Sequence, residues 1–332
     1  MPVPPFRRSW LGDRPDLQRR RRAGVPIVTE NANKPTLGYI GLGNMGAPMA
    51  TRLLDWPAGL VVCDARAEAL EPFTAAGARA ARTPADVAAT ASVISVTVLD
   101  DAQVRDVVNG PDGILSTARP GTVIAVHSTI SDTTAVELAS LCDEHSVTLI
   151  DAPVSGGAPG ATQGKLAVMI GGPIEAFERV REPFGCWAEL VVHAGDIGAG
   201  TRMKLARNLL HFVSFTAATE ASRLAEAAGL DIRTLGKVVR HTDAITGGAG
   251  AIMLRTTTEP VDESDPWYSI LGHVRNLGEK DLSLALDLGD RLGVDLPLAN
   301  LALTGLGPGL GVGVGAPPEN TAFSGPSTKE QS

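Results

Sequence analysis

Three groups of residues in this chain have the types and the spacing to do chemistry. The first is the glycine set Gly41, Gly43 and Gly46 within the stretch Thr36 to Leu54, TLGYIGLGNMGAPMATRLL. A short apolar run (Leu37, Tyr39, Ile40) precedes it and an Ala/Met/Leu-rich helical pattern follows at once, so the reading is strand, turn, helix. In that setting Gly41 permits a tight reversal, Gly43 lets backbone approach a pyrophosphate, and Gly46 lets the helix lie close on the strand. The helix N-terminus then offers unpaired N–H groups and a partial positive charge to phosphates. Pro48, in the first turn, removes only an N–H that had no partner. A bare G-x-G-x-x-G also occurs as a glycine turn without a ligand, so the test is an acid closing the second strand about twenty residues on. Leu60-Val61-Val62-Cys63-Asp64 supplies it. A carboxylate there accepts hydrogen bonds from a ribose 2′-hydroxyl and repels a 2′-phosphate, which favours NAD over NADP. Arg66, two residues on, is the counterweight.

The second group is Ser155-Gly156-Gly157 in DAPVSGGAPGATQGKLAVMIGG, at the end of a strand. Such a turn can aim several backbone N–H groups at one point and make a concavity suited to a carboxylate; its alternative is a plain glycine loop. The third is Lys204 and Asn208, four residues apart on one helical face that His211 continues, with Gly198 and Gly200 leaving room beside them. A Lys/Asn pair on a helix is more often a solvated edge. Its place just beyond the α/β half is what favours a functional reading.

The elements that must position these groups alternate along the first half. Thr83-Pro84-Ala85-Asp86 starts a helix, with Thr as N-cap and Pro at the first helical position. Strands are predicted at 92–98, 122–126, 147–151, 166–170 and 190–194, with a helix at about 132–145. The apolar, β-branched strands suit a parallel sheet buried on both faces, so the fold class is a Rossmann-type doubly wound α/β sheet. Its ligands belong beyond the strands' carboxyl ends. Two such ends, Val98-Leu99-Asp100-Asp101 and His127-Ser128-Thr129, are candidates to wall the cleft. Residues 201–228 lack proline and glycine and predict one helix roughly 42 Å long, at 1.5 Å per residue, leading into a smaller all-α domain. Asp231 reads as an N-cap there, and further helix is predicted around 266–292. The domains are therefore expected at 35–196 and 197–304. From Leu306 the run GLGPGLGVGVGAPPENT predicts no packed helix, and 305–332 a disordered tail.

Composition bounds the function. The net charge of -8 argues against a general nucleic-acid surface, and no apolar run is long enough to span a bilayer. Residues 1–34 depart from that balance, with Arg19 to Arg22 consecutive and no apolar core to make a signal peptide; a disordered leader or an upstream start is favoured over a targeting arm. Three distant cysteines (Cys63, Cys142, Cys186) fit a reduced, cytoplasmic protein. The six histidines show no ligand spacing, so no metal site is predicted.

With these residues in view, the chain resembles the β-hydroxyacid dehydrogenase family, which includes 3-hydroxyisobutyrate dehydrogenase and tartronate semialdehyde reductase. The resemblance spans about residues 36–300 and rests on four blocks in order: GYIGLGNMGAPMA, DAPVSGGAPGATQGKLAVMIGG, GAGTRMKLARNLL and EKDLSLALD. It implies that Gly41, Leu42, Gly43, Asn44, Met45 and Gly46 hold the dinucleotide and that Ser155, Gly156 and Gly157 hold the substrate carboxylate. It further implies Lys204 as catalytic acid/base, Asn208 as the residue orienting substrate, and Lys280 reaching into the cleft. Thr129 matches a position that contacts cofactor and substrate, and Val98-Leu99 a cofactor-contacting pair that usually ends in Leu-Pro. Asp100 stands in place of that proline, which implies a looser loop. The family's final helices are not recognisable after about residue 302, and residues 240–275 match no one member's substrate pocket.

The implied reaction interconverts a short-chain 3-hydroxy acid and its semialdehyde or oxo acid. A lysine serves as acid/base near neutral pH when burial and a neighbouring charge such as Lys280 disfavour its ammonium form. The rivals are an imine reductase on the same scaffold, whose relatives typically lack this lysine, and a non-catalytic dinucleotide-binding protein. The partners implied are a small carboxylate-bearing substrate and further copies of the chain, as dimer or tetramer, with neither nucleic acid nor membrane.

Overall fold

The computed structural model describes residues 34–313 apart from 254, 256 and 258. The expectations for a leader and a tail therefore fall outside the described residues, except at Lys34 and at 305–313. The chain divides into two compact units between Lys204 and Leu205.

The first unit alternates strands and helices. In order these are β1 (Leu37–Ile40), α1 (Gly46–Thr51), β2 (Leu60–Cys63), α2 (Glu71–Ala75), β3 (Arg79–Ala80), α3 (Pro84–Ala88), β4 (Val93–Val96) and α4 (Asp101–Asn109). There follow β5 (Val123–Val126), α5 (Asp132–Glu144), β6 (Thr148–Asp151), β7 (Val154–Ser155), α6 (Gly157–Gln163), β8 (Leu166–Gly171), α7 (Ile174–Phe184) and β9 (Ala188–Gly195). The sheet runs β3-β2-β1-β4-β5-β6-β8-β7, with β9 on β8. All pairs from β3 to β6 are parallel. β8 then runs antiparallel to β6 and β7. The order reverses between β1 and β4, and this switch point puts the Gly41 turn and the Val98 loop at the mouth of one crevice.

Four strands (β1, β2, β4, β5) are buried at every position because both faces are covered. Alternate residues feed opposite cores. Leu37 and Tyr39 pack with Met49 and Leu53 after β1 and with Phe184 and Trp187. Ile40, on the other face, packs with Val87, Val104 and Leu138. The caps follow the sequence: Thr83 Oγ1 accepts from the Asp86 N–H at 3.1 Å, opening α3. The predicted strands are present: β4, β5 and β6 are shorter than the apolar runs by one or two residues at an end, whereas β8 and β9 extend beyond the predicted 166–170 and 190–194.

The helix α8 (Ala199–Ala227) begins in the first unit and continues into the second. The second unit adds α9 (Ile232–Thr246), capped by Asp231 through the Thr234 N–H, then α10 (Pro266–Leu292) and α11 (Pro297–Leu310). The last corrects the composition-based reading. The segment LTGLGPGL is helical to Leu310, and Leu310 and Val312 are buried with Val261 and Leu271. Packing overrides propensity here: a Cβ on Gly278 would fall 2.5 Å from Leu306, and one on Gly307 2.8 Å from Arg275, so glycine in both helices permits close contact. Nor does α11 cap itself. Its N-cap position is Leu296, and the buried carboxylate of Glu220, on α8, accepts instead from the N–H groups of Leu298 (2.8 Å) and Ala299 (3.1 Å).

Candidate active site

The glycine turn has the geometry that its spacing implies. Gly41 has a φ of +92°, and a Cβ on it would lie 2.1 Å from the Thr97 carbonyl oxygen; a Cβ on Gly46 would lie 1.9 Å from that of Gly41. Both positions are closed to any side chain. Gly43 differs, since a Cβ there would meet nothing within 4 Å. Its glycine is not demanded by the protein's own packing, and the open space above an exposed Gly43-Asn44 turn fits a pyrophosphate. Leu42 and Gly46 are buried below that turn and Met45 is half-buried.

Asp64, just past β2, is held by this turn. Its Oδ2 accepts from the Leu42 N–H at 2.6 Å, and its Oδ1 from the Arg66 N–H at 2.9 Å and Arg66 Nε at 3.2 Å. Burial alone would raise its pKa, but the Arg66 and Leu42 N–H groups and the guanidinium outweigh that and hold it below the ordinary carboxylate range. The anion is thus fixed at the strand end, and Arg66 folds back on it while staying 56% exposed.

The two strand-end loops are laced together. Ser128 Oγ accepts from the Val98 N–H at 2.9 Å and donates to the Val98 carbonyl at 2.8 Å. Leu99 is 84% exposed, and Thr129, the residue after Ser128, is also exposed. Two expectations need correction. Asp100 does not loosen its loop: it N-caps α4 by accepting from the Gln103 N–H, while Gln103 Oε1 accepts from the Leu99 N–H. And His127 walls no cleft. It is buried among Tyr39, Phe184 and Trp187, with Nδ1 at 2.8 Å from the Ala152 carbonyl and Nε2 at 3.0 Å from Ser95 Oγ. A carbonyl only accepts, so Nδ1 carries the proton and Nε2 accepts from Ser95. Burial pushes this imidazole down to about 4, and it is neutral.

At the far end of the sheet, Ser155 closes β7, and Gly156 and Gly157 follow with φ of +127° and +66°. The Ser155 Oγ is buried without a hydrogen-bond partner, a donor left available to an incoming acceptor. Lys204 lies in the first turns of α8 and is only 8% exposed. Asn208, half-buried one turn on, accepts from Arg207 at 3.2 Å. Lys280 on α10 is paired with Asp281 at 3.1 Å and is 61% exposed.

Sequence reasoning passed over Asp151. It is fully buried at the end of β6, and its carboxylate accepts from the N–H groups of Gly198 (2.7 Å) and Thr201 (2.5 Å), at the start of α8. A signal was present: like Asp64, it is an acid closing an apolar strand. Thr201, whose buried Oγ1 has no partner, was also missed.

Comparison with known proteins assigns the family. A family model of the NAD binding domain of 6-phosphogluconate dehydrogenase matches residues 36–195. A second, of the NAD-binding region of NADP-dependent 3-hydroxyisobutyrate dehydrogenase, matches residues 198–306. The chain belongs to the β-hydroxyacid dehydrogenase family. As a β-hydroxyacid dehydrogenase it is an oxidoreductase that binds NAD or NADP. It is 60% identical over 285 residues to an uncharacterized oxidoreductase of Mycobacterium tuberculosis, covering 86% of this chain and 96% of that one. It is 35% identical over 271 residues to an NAD-dependent L-serine dehydrogenase of Pseudomonas aeruginosa (81% and 90% of the two chains). Among solved structures, an oxidoreductase from Mycobacterium avium superposes with a TM-score of 0.81 at 58% identity, over 84% of this chain and 99% of that one. An imine reductase from Myxococcus stipitatus, at 20% identity and a TM-score of 0.66 over 82% and 92% of the two chains, shares the fold. Among the described residues no helix is long and apolar enough to cross a membrane.

Proposed function

We propose that this β-hydroxyacid dehydrogenase oxidises a short-chain 3-hydroxy acid to its semialdehyde or oxo acid, and reduces it back, with Lys204 as general acid/base. The observation that carries the reading is Lys204 itself, buried in the first turns of α8 within GAGTRMKLARN. When bound, the nicotinamide supplies hydride transfer at the carbinol carbon. Lys204 takes the hydroxyl proton in oxidation, and its ammonium returns one to the forming alkoxide in reduction. Asn208 orients the hydroxyl. The unpartnered Ser155 Oγ and the N–H groups of Gly156 and Gly157 hold the carboxylate, which fixes the carbinol relative to Lys204. The turn Gly41 to Gly46, with Val98, Leu99 and Thr129, would hold the dinucleotide, and the family resemblance implies a role for the Lys280 charge towards the same ligand.

NAD would be preferred over NADP, because the Asp64 carboxylate, fixed at the end of β2, would accept from a ribose 2′-hydroxyl and repel a 2′-phosphate. Arg66, folded onto Asp64, spends its charge there. The enzyme works as a homo-oligomer: Leu209, Phe212 and Phe215 of α8 and Val238 and Ile245 of α9 are exposed in the single chain, an apolar surface that a second copy covers. A monomer by light scattering overturns that part. Buried, unpaired Cys63 and Cys142 suit a reducing cytoplasm.

The test is a panel of short 3-hydroxy acids, including L-serine and 3-hydroxyisobutyrate, with each cofactor, read at the nicotinamide absorbance band. Turnover with a higher kcat/KM for NAD is expected, and Lys204→Ala lowers it about 100- to 10,000-fold while NAD binding persists. A variant that keeps its turnover removes Lys204 from the mechanism. Reduction of a cyclic imine with NADPH, and no turnover of any hydroxy acid, replaces this reading by the imine reductase.

A further inference from the structure

We propose that Asp151 is a positioning residue for this reaction: its buried carboxylate clamps the first turn of α8 and thereby sets where Lys204 stands. The inference rests on the proposed role of Lys204. Asp151 has no exposed surface, and each of its oxygens takes one N–H of the helix start, Gly198 on Oδ1 at 2.7 Å and Thr201 on Oδ2 at 2.5 Å. Those are charge-assisted bonds made at the positive end of the helix dipole. Thr201 is one turn before Lys204, about 4.5 Å along the axis, and i, i+3 residues share a helix face. The clamp therefore holds the backbone of the turn that leads into the lysine.

The surrounding shape leaves α8 a single seat. A Cβ on Gly171, in β8, would lie 2.3 Å from Asp151 Oδ1 and 2.8 Å from the Gly200 nitrogen. A Cβ on Gly200 would lie 2.3 Å from the Met169 carbonyl oxygen and 2.8 Å from that of Asp151. Strand β6, strand β8 and the helix start thus meet backbone to backbone. A junction meant only to stop fraying needs no buried anion, since an exposed Ser, Thr or Asn caps a helix at lower desolvation cost. What the buried bidentate clamp adds is a fixed translation and rotation of the first turn. Displacement by about 1 Å of a group that transfers a proton costs on the order of 100-fold in rate.

The experiment is a double-mutant cycle on the full chain: Asp151→Asn, Lys204→Ala and the pair, with kcat and KM for the best acid of the panel, NAD affinity by fluorescence, and hydrogen exchange of peptides covering 196–207. Asp151→Asn keeps the shape and loses the charge. It should lower kcat about 10- to 100-fold with NAD affinity unchanged, speed exchange at the start of α8, and add little when Lys204 is already alanine. An equal loss in both backgrounds shows that Asp151 acts on binding or folding and not through Lys204. Unchanged exchange shows that it clamps nothing, whatever the activity. Should Lys204→Ala alone retain turnover, the acid/base reading falls, and the exchange data still decide the clamp. If Asp151→Asn does not fold, Asp151→Ser, which is smaller than the native side chain, takes its place in the cycle.

Discussion

Replacing His127 with Asn should flatten the acid side of the stability profile. The folded imidazole sits at about 4 against an ordinary 6.5, because its ring is buried between Ser95 and Ala152 among three aromatic residues. Between those two values the unfolded chain binds a proton that the folded chain refuses, so stability falls as pH falls. Its contribution is complete above 6.5 and is lost at about 1.4 kcal/mol per pH unit towards 4, about 3 kcal/mol in all. The carboxylates held low, Asp64 among them, add their own losses only as pH falls further, towards their folded values. Asn can place its Nδ2 near the position of Nδ1 and still donate to Ala152. The variant loses ring contacts and is less stable at neutral pH, yet it has no proton to take up in the window. Urea unfolding followed by circular dichroism, at a series of pH values across that window, gives both slopes. The gap between the two proteins should narrow with acid. Parallel slopes would mean that His127 is protonated in the fold or reached by water, and the account of its burial would be wrong.

Two further outcomes follow from the packing. Gly46→Ala, whose Cβ meets the Gly41 carbonyl oxygen at 1.9 Å, should lower the melting temperature severely, whereas Gly43→Ala, with nothing within 4 Å, should melt like the native chain and lose NAD affinity; equal stability of the two, by thermal unfolding, contradicts this division. A chain ending at residue 306 should be less stable than one ending at 313 by about 3–6 kcal/mol, an upper figure for exposing two core side chains, since it lacks the buried Leu310 and Val312. Superimposable urea curves for the two would show that the end of α11 packs on nothing that matters.

What could be read from the sequence was what local pattern encodes. The turn Gly41 to Gly46 and Asp64 form one continuous strand-turn-helix-strand unit, and their spacing alone places them. Thr83 and Asp231 cap helices that start within three residues of them. His127 escaped because its neighbours Phe184 and Trp187 are more than fifty positions away; beside Ser128 and Thr129 it has the look of a loop residue. Asp151 escaped for the same reason, its partners lying 47 and 50 residues on. Composition misjudged α11 because it counts every glycine against the helix, whereas Gly307 is the one that lets it approach α10, a contact with Arg275 that no local pattern shows.

The capping of α11 by Glu220 also bears on the order in which the chain assembles. The N–H groups at the start of α11 find their acceptor 78 and 79 positions earlier in the chain, and the N-cap residue, Leu296, supplies no side-chain acceptor of its own. Nucleation, the costly step of any helix, is here delegated to a surface that must already exist. The long α8 can form from its own local contacts, but α11 has to wait for α8 and α10 to come together. During synthesis it also leaves the ribosome after both of them. The segment that composition marks as least helical is thus expected to fold last, on a template made by the rest of its unit.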